Sequence, residues 1–256
     1  MHGDDTGPLT YLVLGLRGAQ RRALVADLIA GYFSPEEVVR VGIPAAEGND
    51  SEGAAALAER ATTEVIAYQT FHDIGSPDKV AATFLLPPGD GHPADAVEAF
   101  ANWLKVRRTQ PSRIITVVHS RLQAEYPEPL TLWHRACIHF SDAVLLARRE
   151  GLAPSALKAF LTFFEKERYP CPIELVKKGR VANPALILEP QPRRMSLMFD
   201  RDLEAVDLLE FDEDNLPDQP IDLVKPADKY LATDDSGQRL IRIPNIAGLL
   251  EPDERD

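Results

Sequence analysis

The sequence contains little cysteine and no long apolar run. Its two cysteines, Cys137 and Cys171, form no spaced motif and indicate no disulfide framework, which is typical of a reducing compartment. No apolar stretch reaches the roughly 20 residues that a membrane-spanning helix requires. The first residues, MHGDDTGP, are polar and acidic, unlike a signal peptide. We therefore expect a cytoplasmic protein that does not bind membranes.

The chain also lacks an excess of positive charge. Its formal net charge is −12, and the acidity is concentrated near the end of the chain. Residues 196–256 contain 17 acidic and 6 basic side chains, whereas residues 1–195 contain 23 and 22. Nucleic-acid binding requires clustered cations to contact phosphates. We therefore expect no nucleic-acid partner, and a protein is the partner class that we predict.

Short apolar segments alternate with helical patterns over the first three quarters of the chain. Residues 64–70 have the pattern of a hairpin or an edge strand, and further strands are predicted at residues 9–14, 37–43, 80–86, 114–118, 143–146 and 173–176. This alternation indicates an α/β fold with a mostly parallel sheet and helices on both faces. We expect one domain at residues 1–190, then a linker and an acidic C-terminal extension at 191–256. Residues 239–246 within the extension have a strand-like pattern.

The first strand, turn and helix have the layout of a phosphate-binding loop. That loop requires the pattern G-x-x-x-x-G-K-[ST], in which backbone N–H groups and the lysine hold phosphates and the hydroxyl holds Mg²⁺. Counted from Gly15, this chain has Gln20 at the second glycine, Arg21 at the lysine and Arg22 at the hydroxyl position. The sequence therefore predicts the strand, turn and helix of such a loop, but most of the residues that would bind phosphate and Mg²⁺ are replaced.

Several strings, taken in order, resemble the CobW-type GTPases, P-loop proteins of the metallochaperone class. GLRGAQRRAL is similar to the family's GFLGAGKTTL phosphate loop, and EVVRVGIPAAEGND is similar to the second strand and the loop after it, which ends in an acidic residue. TFLLPPGDGHPADAVEAF resembles the segment with an E-x-x-G-x-x-x-P pattern. In it Pro87 replaces the acid, Pro93 matches the proline, and the glycine corresponds to Asp90 or, with a one-residue shift, to Gly89. The resemblance implies a P-loop NTPase-like fold.

Later strings continue the resemblance with further substitutions. IITVVHS has His119 where the family's strand ends in Asp, and KKGRVANPALIL is similar to the end of the GTPase domain. HFSDAVLLARRE resembles the strand that leads to the guanine-reading N-K-x-D motif, with Ala147, Arg148 and Glu150 at the Asn, Lys and Asp positions. The family's Cys-rich G-C-x-C-C metal motif is absent. These losses predict a catalytically degenerate protein in which no residue is assigned a catalytic role.

Anion binding is a separate question from catalysis. Arg17, Arg21 and Arg22 place three cations at a helix N-terminus, which is unfavourable unless an anion binds there. We therefore predict binding residues for GTP or another phosphate-containing ligand, with Glu150 as a possible acceptor from a guanine edge; they are Gly15, Arg17, Gly18, Arg21, Arg22 and Glu150. The alternatives are that the arginines are solvated or pair with the acidic extension, whose carboxylates at residues 202–215 would then mimic phosphate.

These observations leave three functions open. The leading hypothesis is a degenerate CobW-like P-loop protein that acts as an interaction or regulatory module. The alternatives are a divergent nucleotide-binding GTPase or ATPase that uses Arg21, and a metallochaperone-related protein. The helical spacing disfavours a metal site, because His134 and Cys137 share a helix face from which His139 points away. We therefore predict no metal ligands.

Overall fold

Seven parallel strands form one sheet in the computed structural model, which describes residues 8–47, 53–200 and 227–250. Numbered in chain order, the strands are β1 (Leu9–Gly15), β2 (Val39–Pro44), β3 (Thr63–Tyr68), β4 (Ala82–Leu85), β5 (Arg113–His119), β6 (Ala143–Ala147) and β7 (Ile173–Leu175). Their order across the sheet is β3-β2-β4-β1-β5-β6-β7, so β1 lies at the centre between β4 and β5. The carboxyl ends of all strands therefore lie at one edge of the sheet.

The helices alternate with the strands along the chain. They are α1 (Arg21–Tyr32), α2 (Ala54–Ala58), α3 (Pro93–Arg107), α4 (Ser120–Glu125), α5 (Pro127–His139), α6 (Pro154–Lys166) and α7 (Pro184–Leu188). Helix α1 contacts α2 and α7, whereas α5 contacts α3 and α4, and α4 contacts α6. Strands β1, β5 and β6 are buried along almost their whole length, as strands covered on both faces must be. The predicted α/β fold class is confirmed.

Aromatic packing fixes the centre of the sheet. Tyr11 of β1 stacks on Phe84 of β4 with ring centroids 4.5 Å apart, and Phe33 meets Phe84 edge-on. The Tyr11 hydroxyl donates to the Leu188 carbonyl oxygen at 2.9 Å, which ties α7 to the central strand. Burial raises the pKa of Tyr11, so this hydroxyl stays protonated and remains a donor.

Two strand predictions have different outcomes. Of the two alternatives for residues 64–70, the edge strand is confirmed with shifted bounds, because β3 (Thr63–Tyr68) lies at the edge of the sheet and pairs in parallel with β2. The strand-like pattern of residues 239–246 is wrong: this segment contains only an isolated bridge between Thr233 and Arg239 and then irregular backbone. Pro244, which has no N–H to donate to a ladder, accounts for part of this difference.

The chain divides into two compact units. One comprises residues 1–195 with 243–256, and the other comprises residues 196–242. In the second unit, Asp234 accepts from the backbone N–H groups of Ser236 and Gln238, both at 2.9 Å, and so organises a tight turn. The acidic stretch at residues 202–215 lies outside the described residues. No helix in the described ranges is long and apolar enough to cross a membrane.

Candidate functional site

The loop between β1 and α1 retains a backbone conformation suited to close approach. Gly15 and Gly18 have φ of 140° and 80°, and Gln20 has φ 67° and ψ 24°, in the left-handed region that glycine adopts most easily. A Cβ added at Gly15 would lie 2.4 Å from the Val117 carbonyl oxygen of neighbouring β5. Gln20, which replaces the second glycine of the pattern, therefore keeps a glycine-like backbone at a cost of about 1–2 kcal/mol.

Arg21, at the lysine position of the pattern, turns into the protein rather than toward an open loop. Its side chain is only 4% exposed. One guanidinium nitrogen donates to the Pro87 carbonyl oxygen at 2.5 Å, and another donates to Glu47 Oε2 at 2.8 Å. Burial lowers the pKa of Arg21, and the Glu47 carboxylate opposes that shift. An arginine nevertheless stays protonated in proteins, so the cation persists and its partner is Glu47.

Glu47 uses both of its carboxylate oxygens to join three segments. Its Oε1 atom accepts from the Gly89 N–H at 2.6 Å, while Oε2 accepts from Arg21. Its side chain is 7% exposed. It follows β2 in a short 3-10 turn, Ala45–Glu47, and so reaches the site from a neighbouring strand end. We call this set, made of Arg21, Glu47 and the backbone of Pro87 and Gly89, the carboxylate latch.

Arg22 occupies the position at which the pattern requires a hydroxyl. Its side chain is buried, and its guanidinium donates to the Glu47 carbonyl oxygen. A buried cation repels Mg²⁺, and Pro87 supplies no carboxylate on the opposite side. The residues that replace the Mg²⁺ ligands of the pattern therefore do not fit a magnesium ion.

The loop after β4 lies directly against the phosphate-loop backbone. The Arg17 N–H donates to the Gly89 carbonyl oxygen at 3.4 Å, and a Cβ added at Gly89 would lie 2.2 Å from the Arg17 nitrogen. The Gly89 backbone therefore lies too close to the Arg17 backbone to leave room for a side chain. The Arg17 side chain is 38% exposed and lies 4.0 Å from Asp90. Of the three arginines, Arg17 is the one that faces solvent.

The loop after β6 contacts the phosphate loop through a residue that the sequence analysis did not select. Arg148 Nε donates to the Gly18 carbonyl oxygen at 3.2 Å, and Arg148 has φ of 52°. Glu150, which we predicted as an acceptor for a guanine edge, is exposed in the turn after β6. The structure thus places Gly15, Gly18, Arg21 and Arg22 in the β1–α1 loop and the start of α1, whereas Glu150 is exposed on the loop after β6.

His119 and the three residues His134, Cys137 and His139 of α5 are held within the fold, by a helix-capping hydrogen bond or by burial. His119 Nδ1 accepts from the Leu122 N–H at 3.2 Å and so caps α4, and burial lowers its pKa. His134, Cys137 and His139 are buried on α5, and burial raises the pKa of the Cys137 thiol. Within the described ranges, no three His, Cys, Asp or Glu side chains lie close enough together to hold a metal ion.

Glu47 is the site residue that the sequence analysis missed. It lies in the loop after the second predicted strand, and the resemblance assigns it no role. The available signal is its position: an acidic residue soon after the end of β2, at the same sheet edge as the two arginines that follow β1, with β4 between the two strands. The left-handed backbone at Gln20 coincides with the second glycine of the phosphate-loop pattern, so its position in the sequence was the available signal.

Comparisons with known proteins identify the fold. No protein-family model matches the chain, and no curated protein sequence matches it. The signal recognition particle receptor FtsY of Elizabethkingia anophelis, in complex with GDP, aligns over 73% of this chain at 12% identity with a TM-score of 0.50. This chain spans 65% of that FtsY chain. The Zn(II)-bound YjiA GTPase of E. coli aligns over 74% of this chain and 67% of its own, at 13% identity and a TM-score of 0.45.

The FtsY similarity, together with the strand order, shows an α/β fold of the P-loop NTPase-like kind. At this level of identity the similarity establishes the fold and leaves activity open. The predicted P-loop NTPase-like fold is confirmed.

Proposed function

We propose that this chain is a catalytically silent, CobW-like P-loop protein that acts as an interaction or regulatory module. The observation that carries the proposal is the carboxylate latch, in which Glu47 supplies a resident anion at the phosphate site. The side chain of Arg21, at the start of α1, and the Gly89 N–H, in the loop after β4, hold this carboxylate in the way that an arginine and a backbone amide hold a phosphate oxygen. The loops that follow β1, β2 and β4 are therefore connected through Glu47, without a nucleotide.

The latch also opposes nucleotide binding. A phosphate at Arg21 would have to displace Glu47 and leave a buried carboxylate without its cation. Breaking a buried ion pair costs about 3–5 kcal/mol, which would weaken nucleotide affinity by roughly a hundredfold or more. The buried Arg22 in place of a Mg²⁺-binding hydroxyl opposes phosphoryl transfer independently.

A second candidate function, a divergent nucleotide-binding protein, has its own support. The backbone of the phosphate loop keeps left-handed residues at Gly18 and Gln20, and Arg148 ties this loop to the loop after β6. These features would suit a nucleotide once the latch is open. In that case Arg21 would exchange Glu47 for a phosphate group.

Titration calorimetry with GTP and ATP, with and without Mg²⁺, tests these candidates. For the wild-type chain we expect no binding heat at millimolar nucleotide and no release of phosphate. Mg²⁺-dependent binding that the Arg21→Ala variant abolishes would overturn the proposal in favour of the second candidate. Arg40→Ala is the matched control, because Arg40 forms an ion pair with Glu64 at 2.9 Å on the edge of the sheet, away from the latch.

A further inference from the structure

A separate cavity lies between α4, α5 and α6, on elements that form no part of the latch. It has a volume of about 370 Å³, at the lower end of the range for small-molecule sites. Its α6 wall is apolar and includes Leu157, Phe160 and Phe163. These three side chains are only partly buried, although Phe160 and Phe163 both contact the fully buried Phe164. The cavity thus leaves apolar surface of α6 without close packing.

The opposite wall has three polar side chains, two of which already form hydrogen bonds within the protein. Gln123 Nε2 donates to Thr131 Oγ1 at 2.8 Å, and Gln123 Oε1 lies 2.6 Å from His134 Nδ1. Because that amide oxygen can only accept, His134 donates through Nδ1. Burial lowers the pKa of His134 to about 3, so the ring is neutral. Gln123 and Thr131 therefore form part of the wall, and their polar groups do not require hydrogen bonds from a ligand.

Ser120 differs from these two residues. It is 5% exposed and lines the cavity, and its hydroxyl has no hydrogen-bond partner among the described residues. Buried hydroxyls are nearly always paired in native proteins, and this one is placed on a cavity wall, where a molecule in the cavity can supply the partner. No charged side chain lines the cavity in the part of the chain that the structure describes, which disfavours an ionic ligand.

We infer that this cavity binds a neutral small molecule that has an apolar body and one hydroxyl-type hydrogen-bonding group. The apolar body packs against Leu157, Phe160 and Phe163, and the hydroxyl pairs with Ser120. Water alone would form the hydrogen bond to Ser120 but would leave the aromatic α6 wall in contact with water. An amphipathic molecule forms this hydrogen bond and also covers the apolar wall.

Phenol and toluene test this inference as a pair of probes that differ chiefly by one hydroxyl. Binding is measured by saturation-transfer NMR and by titration on the full chain. We expect both probes to bind and phenol to bind more tightly. Ser120→Ala should weaken phenol binding by about tenfold and change toluene binding less than twofold. Ser155→Ala is the matched control, because Ser155 is exposed on α6 and does not line the cavity.

A filling variant provides a second, independent test. Ala156 lines the cavity, and Ala156→Phe should abolish the binding of both probes while the circular dichroism spectrum stays native. The inference is overturned if neither probe binds the wild-type chain, or if Ser120→Ala weakens both probes alike. It is also overturned if Ala156→Phe changes the oligomeric state and leaves probe binding intact, since the cavity would then belong to an interface between copies.

Discussion

Removal of the Glu47 carboxylate should reveal how strongly the latch supports the fold. In the Glu47→Ala variant, the Arg21 guanidinium stays buried without its counter-ion, and the Gly89 N–H loses its acceptor. Breaking a buried pair costs about 3–5 kcal/mol. For a domain of this size, each kcal/mol shifts the melting temperature by about 2–4 °C. We therefore expect a decrease of about 6–20 °C in thermal unfolding followed by circular dichroism.

Glu64→Ala supplies the matched control for that measurement. Glu64 also pairs with an arginine, Arg40, but its side chain is 49% exposed, and such surface pairs contribute about 0–1 kcal/mol. We expect this control to melt within about 4 °C of the wild type. The double variant Arg21→Met with Glu47→Gln removes both charges and should recover much of the stability. Equal melting temperatures for Glu47→Ala and Glu64→Ala would refute the reasoning.

Three further predictions concern backbone contact, pH and thiol reactivity. Gly89→Ala should destabilise the chain by about 1–3 kcal/mol in urea unfolding, because its Cβ would meet the Arg17 backbone at 2.2 Å, whereas Gly91→Ala, with its nearest contact at 3.3 Å, should cost less. The folded chain holds the pKa of His134 near 3, below its unfolded value of 6.5, so unfolding takes up a proton between these values. Stability should therefore fall as pH decreases through that window, by at most about 1.4 kcal/mol per pH unit from this group, and the fall should be smaller in His134→Leu. Burial raises the pKa of Cys171 to about 12 and also raises that of Cys137, so iodoacetamide at pH 8 should label both only after unfolding; rapid labelling of the native chain would contradict this burial.

Much of the fold was predictable because the strands are continuous apolar runs. Runs such as residues 114–118 and 143–146 lie within β5 and β6, with shifts of one residue at the ends. Such runs occur in parallel strands buried on both faces, and their signal depends only on local sequence. The predicted strand at residues 239–246 was wrong because apolar content alone cannot supply a neighbouring strand for pairing.

The site was predictable only in its position. The sequence located three arginines at the start of α1, but the direction of a long side chain depends on partners elsewhere in the chain. Arg21 points inward because Glu47, 26 residues later, and Pro87, 66 residues later, accept its hydrogen bonds. Whether these arginines bind an external anion stays a prediction, as does the role of Glu150. The hypothesis that the acidic extension covers them concerns residues outside the described ranges.

The most direct test of the central claim asks whether Glu47 occupies the place of a phosphate group. Pyrophosphate is added to the wild type, to Glu47→Ala and to Glu64→Ala, and the melting temperature is measured for each. A ligand at ten times its dissociation constant stabilises the folded state by about 1.4 kcal/mol, or about 3–6 °C here. We predict that millimolar pyrophosphate stabilises Glu47→Ala by several degrees and leaves the other two unchanged. No stabilisation of Glu47→Ala, or equal stabilisation of all three proteins, would contradict the account.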